Sequence, residues 1–147
     1  MKIKYKAGNI LESKAFAIVN PVDCSGIMKA GLSRQFRTKY PNMYQNYKTI
    51  CEKEILSVGR LNYFRDKNTL IINFPTKINF RDKVILEDIE KGLKELTKLI
   101  KRLSIHSIAI PMLGTEDNIV LQDIHTLTIN TLSYYLKNKR ITIYLYV

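Results

Sequence analysis

The hydrophobic pattern of this 147-residue chain switches repeatedly between short β-prone runs and longer stretches in which apolar side chains recur every three or four positions. Ile3–Lys6 opens the series, and the apolar run Ala15–Val19 follows, ending at Asn20-Pro21, where a strand is expected to meet a loop. Met28–Tyr40 reads as a helix broken by Pro41, and Met43 to about Leu56 as another. Arg60–Arg65 and Thr69–Phe74 are rich in aromatic and β-branched residues and flank the turn-prone Asp66-Lys67-Asn68, so an adjacent strand pair is predicted. The clearest helix runs from about Val84 to Leu103, with Leu86, Ile89, Leu93, Leu96, Ile100 and Leu103 on one face. Ser107–Ile110 is a short buried strand ending at Pro111. A final helix is expected to begin near Val120, with Asp117 or Asn118 as its N-cap. Its inner face is outlined by Leu121, Ile124, Thr128, Leu132 and Tyr135, and Ile141–Val147 closes the chain as a strand.

Strands alternating with helices predict an α/β fold, a three-layer α/β/α sandwich with a mixed central sheet, over a single domain spanning residues 1–147. In such sheets ligands gather at the carboxyl ends of the strands, where loops diverge and helix N-termini offer unpaired N–H groups. That singles out the loops after Val19, Phe74 and Ile110, each of which mixes polar side chains with turn-permitting residues.

Composition narrows the partners. Lys and Arg number 24 against 13 Asp and Glu, a formal charge of +11, which makes an anionic partner plausible. A Lys-, Ile- and Asn-rich genomic bias accounts for the same surplus, and the basic residues are spread along the chain without forming a compact nucleic-acid motif. The opening segment lacks the apolar run of a signal peptide, and no run of about 18 apolar residues occurs; a soluble, cytoplasmic protein with no membrane association is expected. Cys24 and Cys51 are neither closely spaced nor matched by a histidine pair, so they are read as free thiols, with no metal site and no cofactor expected. His106 and His125 have no partner in the pattern that would make either a general base.

Four segments taken in order, Gly8-Asn9-Ile10, Ala17 through Gly31, Asn73-Phe74-Pro75-Thr76-Lys77 and Ile108 through Gly114, resemble the macro domain family. The Asn-Phe-Pro-Thr-Lys segment, followed by Arg81-Asp82 and the Leu86–Leu93 helix, resembles in particular the branch of DNA ADP-ribosyl glycohydrolase antitoxins (DarG). The resemblance implies binding of ADP-ribose. Ser25–Gly31 would cradle the diphosphate through backbone N–H groups at Gly26 and Gly31, although two glycines also suit a plain strand-to-helix turn. Asn20 and Asp23 match the family's Asn-x-x-Asn contact to the terminal ribose, with Asp23 departing from the usual Asn; turn chemistry explains both residues equally. Lys77 is the catalytic candidate by resemblance, acting with Asn20 and Asp23, while a lysine in a protein this basic is also readily a solvated loop residue.

The remaining contacts the resemblance implies are Asn9 and Ile10 at the adenine, Cys24, Ile27, Met28 and Thr76 along the cleft, Leu113, Gly114, Thr115, Glu116, Asp117 and Asn118 in a second phosphate loop, and Tyr146 stacked on the base or packed in the core. Asn9 stands where most macro domains have an aspartate, and its amide oxygen still accepts a hydrogen bond. Glu116 and Asp117 replace glycines and would repel a diphosphate unless turned away. The resemblance therefore implies a glycohydrolase that removes ADP-ribose from a nucleobase in DNA, in toxin neutralisation or counter-defence, with single-stranded DNA held along the basic surface of a monomer. A binder or sensor of ADP-ribose without turnover, or a hydrolase of ADP-ribosyl esters, uses the same pocket. DarG antitoxins carry a second, toxin-contacting region for which 147 residues leave no room, so the chain is expected to act alone or to meet partners through the macro domain itself.

Overall fold

The computed structural model describes residues 1–114 and 119–147. In chain order the elements are β1 (Lys2–Lys6), a short 3₁₀ turn (Ile10–Glu12), β2 (Ala17–Val22), α1 (Gly31–Lys39), α2 (Pro41–Glu52), β3 (Asn62–Asp66), β4 (Thr69–Pro75), α3 (Leu86–Arg102), β5 (Ser107–Pro111), α4 (Leu121–Leu136) and β6 (Thr142–Tyr146). The strands form one sheet in the order β1-β6-β5-β2-β4-β3. Neighbours run parallel except β3, which pairs antiparallel with β4 across the 66–69 turn. The expected mixed sheet and three-layer sandwich are both present.

Side-chain alternation assigns the layers. Ala17 and Val19, Leu70, Ile72 and Phe74, Ile108 and Ile110, and Ile143 and Leu145 face α3 and α4 in an aliphatic core. The opposite face, with Ile18, Val22, Ile71 and Ala109, packs against Phe36 of α1 and Met43, Tyr44 and Tyr47 of α2. The α3 stripe behaves as its spacing predicts, with Ile89, Leu93, Leu96 and Ile100 fully buried. Gly92 lets this helix lie close on the sheet, because a Cβ there would stand 2.3 Å from Cζ of Phe74.

The differences from the sequence reading are local. α1 starts at Gly31, since Met28 adopts a left-handed φ of 51° that no helix admits. The first helix ends before Pro41 as expected, and Pro41 itself opens α2, earlier than Met43, at the first helical position where its missing N–H costs nothing. β3 begins at Asn62, because Arg60 is used in an isolated bridge to Ser57. α4 takes Val120 as its N-cap, in place of Asp117 or Asn118. Its inner face comprises Ile124, Thr128, Thr131, Leu132 and Leu136, while Leu121 and Tyr135 are exposed.

The most consequential difference is at β2, which continues through Asn20-Pro21 to Val22. Thr76 N–H donates to Val22 O on the β4 side, at 2.9 Å, and Leu70 N–H to Phe16 O, at 2.8 Å. Even-numbered residues of β2 thus direct their backbone groups to β4 and odd-numbered ones to β5. Pairing with β5 is confined to Ala17–Ile18 against Ile108–Ala109. The next pair in that ladder would need an N–H from Pro111 for Val19 O and one from Pro21 for Pro111 O; neither proline has one, so the β2–β5 ladder stops while β2 remains paired with β4 through Val22. The sheet parts there at its carboxyl edge, and the cleft described below opens beside the gap.

Candidate functional site

Two cavities lie along that edge and share Leu32. The first, about 360 Å³, is lined by Pro21, Val22 and Asp23 from the end of β2, by Met28–Ser33 leading into α1, and by Thr76, Lys77 and Phe80 after β4. The second, about 520 Å³, is lined by Gly8, Asn9 and Ile10, by Leu32 and Gln35 of α1, and by Pro111, Tyr146 and Val147 at the ends of β5 and β6. Each has the size of a small-molecule site, and together they suit an elongated ligand with a head in each. Among the described residues no side chain caps α1, and its first turn carries no acid, so the N–H groups of a nine-residue helix face the shared wall. Among the described residues that line the first cavity, Lys29 and Lys77 add positive charge against the one carboxylate of Asp23.

The first loop is held from below. Asp23 Oδ1 accepts Ser25 N–H at 2.9 Å and Ser25 Oγ–H at 2.6 Å, an Asx turn. The Tyr47 hydroxyl donates to Asp23 O at 2.7 Å, with Asp23 Oδ1 also 3.2 Å away, and accepts Gly26 N–H at 3.3 Å. Tyr44 donates to Gly26 O at 3.1 Å. Cys24 N–H donates to Ile78 O at 2.8 Å and ties this loop to the one after β4. Burial, with smaller contributions from Cys51 and Asp23, pushes the Cys24 thiol up to about 12. Burial is also the main cause of the upward shifts of Cys51 and Tyr47. All three therefore act as neutral packing and hydrogen-bonding groups, not as nucleophiles.

Beneath the cavity runs a line of side-chain amides. Asn20 Nδ2 donates to Asn73 Oδ1 at 3.0 Å, Asn73 Nδ2 to Asn62 Oδ1 at 3.0 Å, and Asn62 Nδ2 to Asn46 Oδ1 at 3.3 Å. The line links β2, β4, β3 and α2, and Asn20 Nδ2 also lies 3.8 Å from Met28 Sδ. Met28, 3% exposed, is thereby fixed in its left-handed conformation, the one strained step in the first loop. Asn20 Oδ1 is buried without a hydrogen-bond partner among the described residues.

The structure thus brings Asp23, Met28, Gly31, Thr76 and Lys77 to one cavity and Asn9, Ile10 and Tyr146 to the other. Other expected site residues lie outside the two cavities or are already engaged by protein groups. Asn20 is fully buried and supports the floor of the site without reaching the ligand space. Gly26 and Cys24 have already given their N–H groups to protein acceptors, so of the two expected cradle glycines only Gly31 lines the cavity. Ser25 and Ile27 are surface residues outside both cavities. Asn9 Oδ1 caps the 3₁₀ turn by accepting Leu11 N–H at 3.0 Å, which competes with any adenine contact. Leu113 and Gly114 are packed inward, Gly114 against Val84 and Ile124. Thr115, Glu116, Asp117 and Asn118 lie outside the described residues. Lys29, Leu32, Ser33 and Phe80 line the first cavity without having been singled out from sequence; an aromatic between Asn79 and Arg81 in a polar loop was the available signal for Phe80.

The model of the macro domain family matches residues 19–123, most of the chain. The chain belongs to the macro domain family. Among relatives, the DNA ADP-ribosyl glycohydrolase of Thermus aquaticus is 38% identical over 117 residues, covering 76% of this chain and 32% of that protein. The protein of the same name from Mycobacterium tuberculosis is 37% identical over 117 residues, with 76% and 33% covered. This macro domain chain spans about a third of the length of those relatives. The solved macrodomain of Thermus aquaticus DarG superposes with a TM-score of 0.91 at 29% identity, covering 99% of this chain and 97% of that one. Thermosipho africanus DarTG, solved in complex with ADP-ribose, shares the fold with a TM-score of 0.88 at 22% identity, covering 99% and 41%.

Proposed function

We propose that this macro domain is a glycohydrolase that removes ADP-ribose from a nucleobase in DNA. The observation that carries the reading is the first cavity, where Lys77 and Asp23 meet beside the uncapped N-terminus of α1. The name borne by relatives at 37–38% identity agrees with it. The adenine end of the ligand lies in the second cavity against Ile10 and Tyr146, and the diphosphate passes over Leu32 and the first turn of α1, where helix N–H groups balance its charge. The terminal ribose then sits between Asp23 and Lys77. Hydrolysis breaks the bond between the anomeric carbon and the base nitrogen. Water supplies a hydroxyl to the carbon and a proton to the base, and the Lys77 ammonium stabilises the negative charge that develops on the departing base. The protein works as a cytoplasmic monomer, with single-stranded DNA drawn in by its positive field, in a toxin-neutralising or counter-defence role.

Incubation with an ADP-ribosylated single-stranded oligonucleotide tests the reading. Release of free ADP-ribose is expected, and Lys77→Ala is expected to slow it by about 10²-fold or more, the usual scale for loss of a catalytic group. No release by the unaltered protein overturns the proposal. A second reading, ADP-ribose capture without turnover, draws on the prior engagement of Asp23 Oδ1 and Asn9 Oδ1. Calorimetric binding of ADP-ribose with no product formed selects it.

A further inference from the structure

Phe80 is out of place for an ordinary surface loop. It is 44% exposed, as is its neighbour Ile78, yet it forms part of the wall of the first cavity three residues beyond Lys77. Cations from two loops attend the ring: the Lys29 ammonium, from the segment entering α1, stands 4.6 Å from its centroid, and the Arg81 guanidinium 5.3 Å. The loop is shaped rather than slack, since Asn79 N–H donates to Asp82 Oδ2 at 3.0 Å and Asp82 N–H to Asn79 O at 3.0 Å, closing a turn around Phe80-Arg81. Ile78 O holds the same loop to Cys24.

An exposed aromatic face flanked by cations is the arrangement that single-stranded nucleic acid uses, a base on the ring and phosphates on the charges. We propose that Phe80 is the platform on which the DNA base bearing ADP-ribose stacks, with Arg81 and Lys29 engaging the adjoining phosphates. The proposal rests on the glycohydrolase reading and adds the part of the substrate that lies outside the ADP-ribose. A base arriving at Phe80 displaces Lys29 from an exposed contact and frees its ammonium for the strand. The glycosidic bond is then delivered beside Lys77, because both residues line one wall. Free ADP-ribose has no base at this position, so the platform discriminates the DNA-linked substrate from the product.

The test compares the unaltered protein, Phe80→Ala and Phe80→Trp in three measurements: turnover of an ADP-ribosylated single-stranded oligonucleotide, calorimetry with free ADP-ribose, and anisotropy with the unmodified oligonucleotide. Phe80→Ala is expected to raise KM for the modified oligonucleotide about ten- to hundredfold, the scale of one lost base–aromatic stack, with a far smaller change in kcat. Its affinity for the unmodified oligonucleotide falls more than its affinity for free ADP-ribose, and Phe80→Trp restores both oligonucleotide readouts. An unchanged KM in Phe80→Ala, or a fall in ADP-ribose affinity in step with KM, overturns the platform. If the unaltered protein releases no ADP-ribose, the glycohydrolase reading fails by itself. Anisotropy then decides the platform alone: a loss in Phe80→Ala rescued by Phe80→Trp upholds it, and equal affinities overturn it.

Discussion

The two faces of the sheet are built from different materials. On the α3–α4 face nearly every buried side chain is aliphatic, with Phe74 as the one ring, and the packing is close enough that Gly92 cannot take a Cβ. On the α1–α2 face tyrosines, methionines and the Asn20–Asn73–Asn62–Asn46 line are threaded through the core. Aliphatic burial is non-directional and supplies stability by area. Buried amides and phenols are stable only when their partners are correctly placed, so they fix geometry. The cavity with Lys77 opens above the second face, where position matters more than burial.

Substitutions on the two faces should therefore separate stability from binding. Leu93→Ala on α3, fully buried among aliphatic neighbours, is expected to lower unfolding stability by about 2–5 kcal/mol, read by denaturant titration, while the folded fraction keeps its ADP-ribose affinity. A matching loss of affinity in the folded protein would blur the contrast. Asn73→Ala breaks the amide line in its middle and strands Asn20 Nδ2 and Asn62 Oδ1; a loss of about 1–3 kcal/mol is expected together with weaker ADP-ribose binding, because Met28 and the end of β2 lose their support. Unaltered affinity at reduced stability would show the line to be mere packing. Tyr47→Phe removes the hydroxyl shared by Asp23 and Gly26 and is expected to cost about 1 kcal/mol, with a measurable drop in affinity.

Alkali offers a gentler probe of the same face. The Cys24 thiol, displaced from 9.0 to about 12 in the folded protein, stays neutral there while the unfolded chain ionises. Its contribution is whole below pH 9 and is lost as the pH rises towards 12. Cys24→Ala should flatten the alkaline decline in stability, and an unchanged slope would remove the thiol from the account. Smallest of all, Lys94→Ala breaks an exposed pair with Glu90 and is expected to change stability by less than about 0.5 kcal/mol.

How much of this was readable from the chain follows the same division. Helix α3 and strands β4 and β6 carry strong periodicity, and the structure has them within a few residues of where the pattern puts them. The order of elements was enough for the layered fold and for the edge at which to look. The floor of the site was hidden, because Asn20 and Asn73 are 53 positions apart and only the β2–β4 register makes them neighbours. Asn20-Pro21 looks like the end of a strand in any local reading. Tyr47 sits on a helix face where an aromatic suggests packing, and nothing local reveals that its hydroxyl binds a loop 21 residues away. Of the residues named in the Ser25–Gly31 loop, Met28 and Gly31 line the first cavity, whereas the distinction between N–H groups used by the protein and those left for a ligand needed coordinates.

The proline in β2 has one more consequence. A cleft that must be prised open charges each incoming ligand for the strand pairing it disrupts, and one that gapes without support collapses. Here the missing N–H groups of Pro21 and Pro111 halt the β5 ladder, while the β4 ladder holds the strand in place up to Val22. The opening is therefore a standing property of the fold, and whatever binds beside it meets a preorganised edge with little conformational entropy left to lose.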